Sequence, residues 1–348
     1  MKLPLRVTGP LSVLQKVRLR HAVLQAIRDF FDTRGYVEID APTLISANAV
    51  EAYIDPLSTN VHSPDELGDE RKFLMTSPEL HMKRLLAHGL KKIFFAGHVF
   101  RDREASPIHS NEFLMLETYT VGCTLEFLID QCEELFCVLA KSVAHCLQLE
   151  CDDLVDTDRL IFDRISMASS WEKFAEIDLL AALTKIGSHD KNALVEAVLS
   201  ANESLRENAD FEDAFTHIML TKVEPKIGID RPCVIYDWPA QSAALSALNP
   251  KNPLLAQRFE IYWKGLELAN AFAELTDAAI QEKRFEEANL LRMARGVEPL
   301  PVDKTFLRDL AEMPPSCGIA IGIDRLIAVF IGKKDLSEVT FLLPVEMH

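Results

Sequence analysis

The chain lacks any uncharged apolar run near the ~18 residues that a membrane helix needs. Its opening stretch, MKLPLRVTGPLSVLQKVRLR, has neither a continuous apolar segment nor a small-residue cleavage pattern. A membrane span and a secretory leader are therefore not expected. Seven cysteines are scattered irregularly, without a C-x-x-C pair. They predict reduced thiols in a cytoplasmic protein, and neither a disulfide framework nor a zinc site. Positive charge is in deficit: 37 Lys and Arg against 53 Asp and Glu leave a net charge of −16. Such a chain repels a polyanion, which excludes broad electrostatic binding to nucleic acid and leaves only a small local patch open. Internal repeats and low-complexity tracts are also absent. What is present, 348 residues with 48% hydrophobic and 26% charged, suits a globular fold of one large domain or two ordinary ones.

Apolar positions Leu14, Val17, Val23, Leu24, Ile27, Phe30 and Phe31 predict an amphipathic helix ending at Gly35. YVEIDAPTL reads as a strand interrupted by Pro42, SPDELGDERK as a loop and KFLMT as a short strand. Ser77, Pro78 and Glu79 predict a helix start with Ser77 as cap and Pro78 in the first turn. KIFFAGHVFRDRE and NEFLMLETYTV predict two long strands, followed by a helix from Cys123 to Leu149. Residues 151–225 read as mostly helical, an insertion subdomain. RPCVIYDWP and RFEIYWKGLELANAF return to strand, Glu282–Arg295 is a charged helix, and CGIAIGI is a strand running into the helix DRLIAVFIG. Long strands with helices to one side predict α+β around an antiparallel sheet.

Four constellations carry chemistry. Phe113, Met115, Glu117 and Tyr119 share one strand parity and hence one face, a floor for a cationic ligand or simply a half-buried strand. If Lys264-Gly265 is a two-residue hairpin turn, Tyr262 lies opposite Glu267, with Glu260 on the same face. Two carboxylates that close repel unless a cation lies between them, and Mg²⁺ with substrate phosphates suits the pair. An exposed edge hairpin is the alternative. Asn270 and Glu274 have the opposite parity to Glu267, so a shared cavity requires a bulge or bend after Leu268. In GIAIGIDRL the small residues allow close approach, and Arg325 at a helix start calls for a facing anion, unless the corner is just close packing. Thr76-Ser77-Pro78-Glu79 is either a cap alone or a cap that offers Glu79 to an amine.

In this order the segments resemble the three signature motifs of class II aminoacyl-tRNA synthetases. RGYVEIDAPTL, ending near Pro42, is similar to motif one; VFRDRE with HSNEFLMLE to motif two; GIAIGIDRL to motif three. TSPELHMKRLL, NEFLMLETY and RFEIYWKGLELANAFAELTD resemble blocks of the lysyl branch, and the likeness covers nearly the whole chain from Leu14 onward. The short stretch before Arg34 reads as one helix with a lead, so the OB-fold anticodon-binding domain of a lysyl-tRNA synthetase is not expected. A lysyl-type catalytic domain without it resembles the elongation factor P–(R)-β-lysine ligases. That resemblance implies one α+β class II catalytic domain over residues 1–348, an antiparallel sheet flanked by helices, with a helical insertion at 151–225.

It further implies an AMP-forming ligase that activates (R)-β-lysine, or less well lysine, with ATP and Mg²⁺, and transfers it to a lysine side chain of elongation factor P. A cytoplasmic homodimer formed through motif one is implied, with no membrane partner and no stable tRNA binding. Arg101 would bridge the substrate carboxylate and the ATP α-phosphate; Phe113 and Arg325 would sandwich adenine, with Leu268 and Gly322 completing the ATP site. Glu260 and Glu267 would hold Mg²⁺. Glu79 would meet the substrate's amine, with Ser77 also in the substrate site; Glu117, Tyr119 and Glu274 would hold its distal ammonium; Asn270 its carboxylate; Ala320 would line the wall. Three positions depart from the family pattern: Arg103 stands where F-R-x-E has Glu, Ser110 where Asn is usual, and Ala271 where Gly follows the pocket Asn. The alternatives are a truncated synthetase charging another acceptor, disfavoured by the −16 charge, and a non-catalytic amino-acid-binding paralogue, disfavoured by Arg101, Glu260, Glu267 and Arg325. An asparagine-synthetase-like ligase would need a cationic distal site, where this chain has Glu117 and Glu274.

Overall fold

The structure is a computed structural model and describes residues 5, 7, 9–62, 69–149, 158–187, 190 and 192–340. The chain divides into two compact units, Met1–Leu160 with Glu274–His348, and Ile161–Ala273.

The first unit opens with helix α1 (Val13–Asp32). Ser12 and Gln15 form a capping box that satisfies two otherwise orphaned N–H groups. Leu19, Val23, Ile27, Phe30 and Phe31 make its buried stripe, and Phe31 stacks on Phe94 at 5.0 Å between ring centroids. Strands β1 (Val37–Glu38) and β2 (Leu44–Ile45) flank Pro42. Strands β3 (Ser58–Val61) and β4 (Glu70–Leu74) join β2 in a small antiparallel sheet of order β2-β4-β3. Glu70–Lys72 are therefore strand, not the expected loop, and 63–68 lie outside the described residues. The small sheet was hard to read because β3 is exposed throughout and shows no apolar alternation. Helix α2 (Glu79–Ala87), strands β5 (Lys92–Phe100) and β6 (Glu112–Val121) and helix α3 (Leu125–Cys146) follow where expected.

The second unit contains β7 (Asp163–Ser166), α4 (Met167–Ala175), α5 (Leu179–Gly187), α6 (Ala193–Ser200), α7 (Phe211–Ile218), β8 (Cys233–Pro239), β9 (Leu248–Asn249), β10 (Asn252–Trp263) and β11 (Leu266–Ala273). The helical reading fits α4–α7, but Asp163–Ser166 is a strand that runs parallel to β8. Its strands follow the order β11-β10-β8-β7, with β9 on β10. Trp171, Phe215 and Trp238 are central to the core, the first two stacked at 5.3 Å.

The chain then returns to the first unit with α8 (Ala278–Ala294), α9 (Lys304–Leu310), β12 (Ser316–Gly322) and α10 (Ile323–Phe330). There the sheet order is β1-β5-β6-β12, antiparallel except for the β1–β5 pair. The class is α+β, with mostly antiparallel sheets and flanking helices. Among the described residues no helix is long and apolar enough to cross a membrane.

Candidate active site

In the first unit, the pairing of β6 with β12 places Gly322 opposite Met115, Ala320 opposite Glu117 and Gly318 opposite Tyr119. Tyr119 Oη donates to Glu117 Oε1 at 2.6 Å, and Ser77 Oγ donates to Glu117 Oε2 at 2.8 Å. Glu79 and Lys83 are one turn apart on α2, the spacing that brings two side chains together. Lys83 Nζ lies 2.6 Å from Glu79 Oε1 and 2.5 Å from Glu274 Oε2. The Lys83 and Glu274 side chains are 0% exposed. Glu274 is anchored by its own N–H, which donates to Ser316 O at 2.9 Å. Gly318 makes the gathering possible: a Cβ there would lie 2.3 Å from Tyr119 Cε1 and 2.6 Å from Glu274 Oε1. The pocket's own side chains thus fill the space that a glycine strand was expected to leave for a ligand.

Burial pushes the Glu117 carboxyl up to about 7, with the Glu79 charge adding to the effect. Burial also pushes Glu274 up to about 8, with Lys83 opposing it. Glu274 Oε1 is buried without a hydrogen-bond partner. One ammonium bridges two of these three carboxyl groups, and Glu117 is held only by hydroxyls, so the pocket favours arriving cations. The expected cap is corrected in one detail. Pro78 holds the N-cap position, and Ser77 Oγ accepts from Glu79 N–H at 3.0 Å while donating to Glu117. The structure brings Ser77, Glu79, Glu117, Tyr119 and Glu274 into direct contact chains and sets Ala320 beside Glu117.

Arg101 directly follows β5. Its N–H donates to Asn111 O at 2.8 Å, and Asn111 Nδ2 donates to Arg101 O at 2.8 Å, closing the intervening loop. The guanidinium stands 5.2 Å from the Phe113 ring centroid, and its buried Nε has no partner. Arg325, in the first turn of α10, donates through Nε to Ile108 O at 3.1 Å. Its neighbour Asp324 pairs with Arg20 and accepts from Leu114 N–H at 2.8 Å, fixing the helix start against β6. Arg103 has φ of 59°, and its exposed guanidinium turns to the Asp55 carboxylate at 3.7 Å. The carboxylate beside Arg101 is that of Glu104, 3.9 Å away. The motif-two departure is thus a local turn that swings Arg103 outward.

In the second unit, Lys264 and Gly265 have φ of 55° and 78°, the left-handed pair of a tight hairpin turn. Tyr262 pairs with Glu267 as expected, and the register then shifts so that Ile261 pairs with Ala269 and Glu260 with Asn270. Leu268 is the extra residue of this bulge. The parity flip puts Glu260, Tyr262, Glu267 and Asn270 on one face. Tyr262 Oη donates to Glu260 Oε2 at 2.6 Å, and Arg258 donates to Glu260 Oε1 at 2.5 Å, to Asn270 Oδ1 at 3.2 Å and to Ser242 O at 2.6 Å. The Asn270 carbonyl is thereby occupied. Burial, and then the Glu267 charge, push Glu260 up to about 8. Burial raises Glu224 as well, and it bonds to Tyr262. Among the described residues no three such side chains are gathered closely enough to hold a metal by themselves. Two carboxylates, with phosphate oxygens and water completing the shell, fit Mg²⁺.

Residues 10–345 match the family tRNA synthetases class II (D, K and N). The chain is 35% identical over 335 residues to an elongation factor P–(R)-β-lysine ligase of Yersinia enterocolitica, with 95% of each chain covered. Proteins of the same name from Salmonella gallinarum and Hamiltonella defensa are each 34% identical, over 333 and 342 residues, covering 95% and 97% of both chains. The chain belongs to the elongation factor P–(R)-β-lysine ligase family of class II tRNA synthetases. In this family member, three site residues escaped the sequence reading: Lys83, Arg258 and Glu224. Lys83 had a signal, its i+4 spacing from Glu79. Arg258 had the strand parity of Glu260. Glu224 sits in a short 3₁₀ turn with no motif around it.

Proposed function

We propose that this chain is an AMP-forming ligase that activates (R)-β-lysine, or less well lysine, with ATP and Mg²⁺ and passes it to a lysine side chain of elongation factor P. The observation that carries the substrate class is the buried pocket of three carboxylates and one ammonium, with Glu274 Oε1 unpartnered. A neutral or acidic amino acid would leave those charges unanswered, whereas ammonium groups answer them. Glu79 and Ser77 take one amine; Glu117, Tyr119 and Glu274 take the other; Ala320 lines the wall. In the first step a substrate carboxylate oxygen attacks the ATP α-phosphorus and the bond to pyrophosphate breaks. Arg101 stabilises charge at that phosphate, and its unpartnered Nε supports the role. Phe113 and Arg325 hold the adenine, with Leu268 and Gly322 beside the nucleotide, and Asn270 offers its NH₂ to the carboxylate. Mg²⁺ on Glu260 and Glu267 would neutralise phosphate charge. In the second step an acceptor amine attacks the carbonyl, AMP leaves and the amine loses a proton. Positioning and electrostatics suffice, with no enzyme nucleophile.

We read both units as parts of one catalytic domain in which the α4–α7 helices are an insertion. Exposed apolar side chains in the motif-one region, Val37 and Leu44, support a homodimer formed there. Free thiols at all six described cysteines suit a reducing cytoplasm. The −16 charge speaks against stable tRNA binding. The test is to incubate the protein with ATP, Mg²⁺, (R)-β-lysine and elongation factor P and to weigh the acceptor intact. A gain of one β-lysyl group on a single acceptor lysine is expected. An unmodified acceptor alongside charged tRNA would overturn the reading.

A further inference from the structure

Among the described residues Lys83 is the buried cation of the acid pocket, and the proposed reaction gives it no task. It lies on α2, 1% exposed, between Glu79 of its own helix and Glu274, where the chain returns to the first unit. The groups around this cluster are Glu117 and Tyr119 on β6 and the Cys317 thiol on β12. The next cation on the helix, Arg84, faces Asp309 at 2.8 Å. Burial works against the Lys83 charge, but Glu274 and Glu79 outweigh it and hold the ammonium protonated. Removing an ammonium from water is expensive, and a lysine serving only to fill space would be replaced at less cost by an apolar side chain. The ammonium also fixes which oxygens stay open. Holding Glu274 by Oε2 leaves Oε1 buried and unpartnered.

Arriving ammonium groups draw the protons off the buried Glu117 and Glu274 carboxyls, and with all three carboxyls ionised the count is three carboxylates less one ammonium, or two negative charges. A diamino acid brings two ammonium groups and a monoamino acid brings one. We infer that Lys83 is a specificity-determining residue that positions Glu79 and Glu274 and trims the pocket to two uncompensated negative charges, the complement of a diamino acid's two ammonium groups. The inference rests on the reading of this pocket as the amino-acid site. Lys83 acts through the two glutamates and does not touch the substrate.

The test uses ATP–pyrophosphate exchange by the full-length protein with (R)-β-lysine. Lys83→Met keeps the stem but drops the charge. It should raise KM for β-lysine by about tenfold or more while leaving KM for ATP within about twofold. Lys83→Ala opens a cavity of matching length. Added n-propylammonium should restore its exchange about fivefold or more, saturably, and neutral 1-propanol should not. A wild-type KM for β-lysine in Lys83→Met, equal losses for both substrates, or rescue by propanol as good as by propylammonium would overturn the inference alone. Wild-type protein that exchanges with no diamino acid would overturn the reading of the pocket and this inference with it.

Discussion

The acid pocket of the first unit and the hairpin of the second are built from the same parts. Each holds three carboxylates: Glu79, Glu117 and Glu274 in one, Glu224, Glu260 and Glu267 in the other. Each has a resident cation among the described residues, Lys83 or Arg258, and a buried tyrosine donating to a glutamate two residues before it, Tyr119 to Glu117 and Tyr262 to Glu260. The placement of the cation differs. Lys83 bridges two carboxylates in full burial, so both are fixed and Glu274 Oε1 stays buried without a hydrogen-bond partner. Arg258 grips Glu260 and turns to Asn270 and the backbone, while Glu267 sits half-buried at the hairpin end. On the proposed function, the same kind of acidic cluster would suit an enclosed organic ammonium in one place and Mg²⁺ with substrate phosphates in the other.

Damage to one cluster should therefore leave the function of the other intact. Glu274→Gln should weaken (R)-β-lysine by about 2–5 kcal/mol, because a desolvated ammonium loses a partner, and should leave ATP affinity and the Mg²⁺ requirement nearly unchanged. Calorimetric titration with each ligand reads this; equal losses would make Glu274 structural. Glu267→Gln should lower kcat for exchange by roughly 10²-fold and shift the Mg²⁺ dependence to higher concentration with β-lysine binding intact, and Arg101→Ala should lower kcat similarly without the Mg²⁺ shift. Wild-type rates in either variant would remove the assigned role.

A smaller effect concerns pH. Glu117, Glu260 and Glu274 are raised by burial to about 7, 8 and 8. The folded protein therefore holds protons that the unfolded chain has already released. Their stabilising effect is complete below the ordinary carboxylate range and is lost as pH rises through 7–8. The Tm of the free protein should fall between about pH 5 and 8.5, less so in Glu274→Gln, and β-lysine should raise Tm more at the alkaline end. A fall as steep in the variant as in the wild type would contradict this. The smallest effect is expected at Ala320, opposite Glu117 on the pocket face. Ala320→Gly removes one methyl and should shift the kcat/KM ratio toward lysine by about 10-fold, within the 1–3 kcal/mol a methyl can command. An unchanged ratio would mean that Ala320 only packs.

Much of this arrangement was legible in the sequence where local rules suffice. The Lys264-Gly265 turn sets the Tyr262–Glu267 pairing, and the parity conflict with Asn270 demands a bulge, found at Leu268. Strand alternation puts Glu117 and Tyr119 on one face, and Gly318 and Ala320 lie opposite them. Illegible were the residues whose meaning comes from distant partners. Lys83 on an amphipathic helix reads as a solvent-facing side chain until Glu274, far along the chain, closes over it. Glu224 meets Tyr262 only through folding. Strand β3 has no apolar alternation, and the parallel β7 lies within a helical stretch, so periodicity reported neither.

Whether uncompensated buried charge selects a diamino acid is decided by ATP–pyrophosphate exchange of the wild-type protein with (R)-β-lysine, lysine, aspartate and leucine at saturating ATP and Mg²⁺. Exchange is expected with (R)-β-lysine, more weakly with lysine, and not with aspartate or leucine. Exchange with aspartate or leucine equal to that with the diamino acids would contradict it.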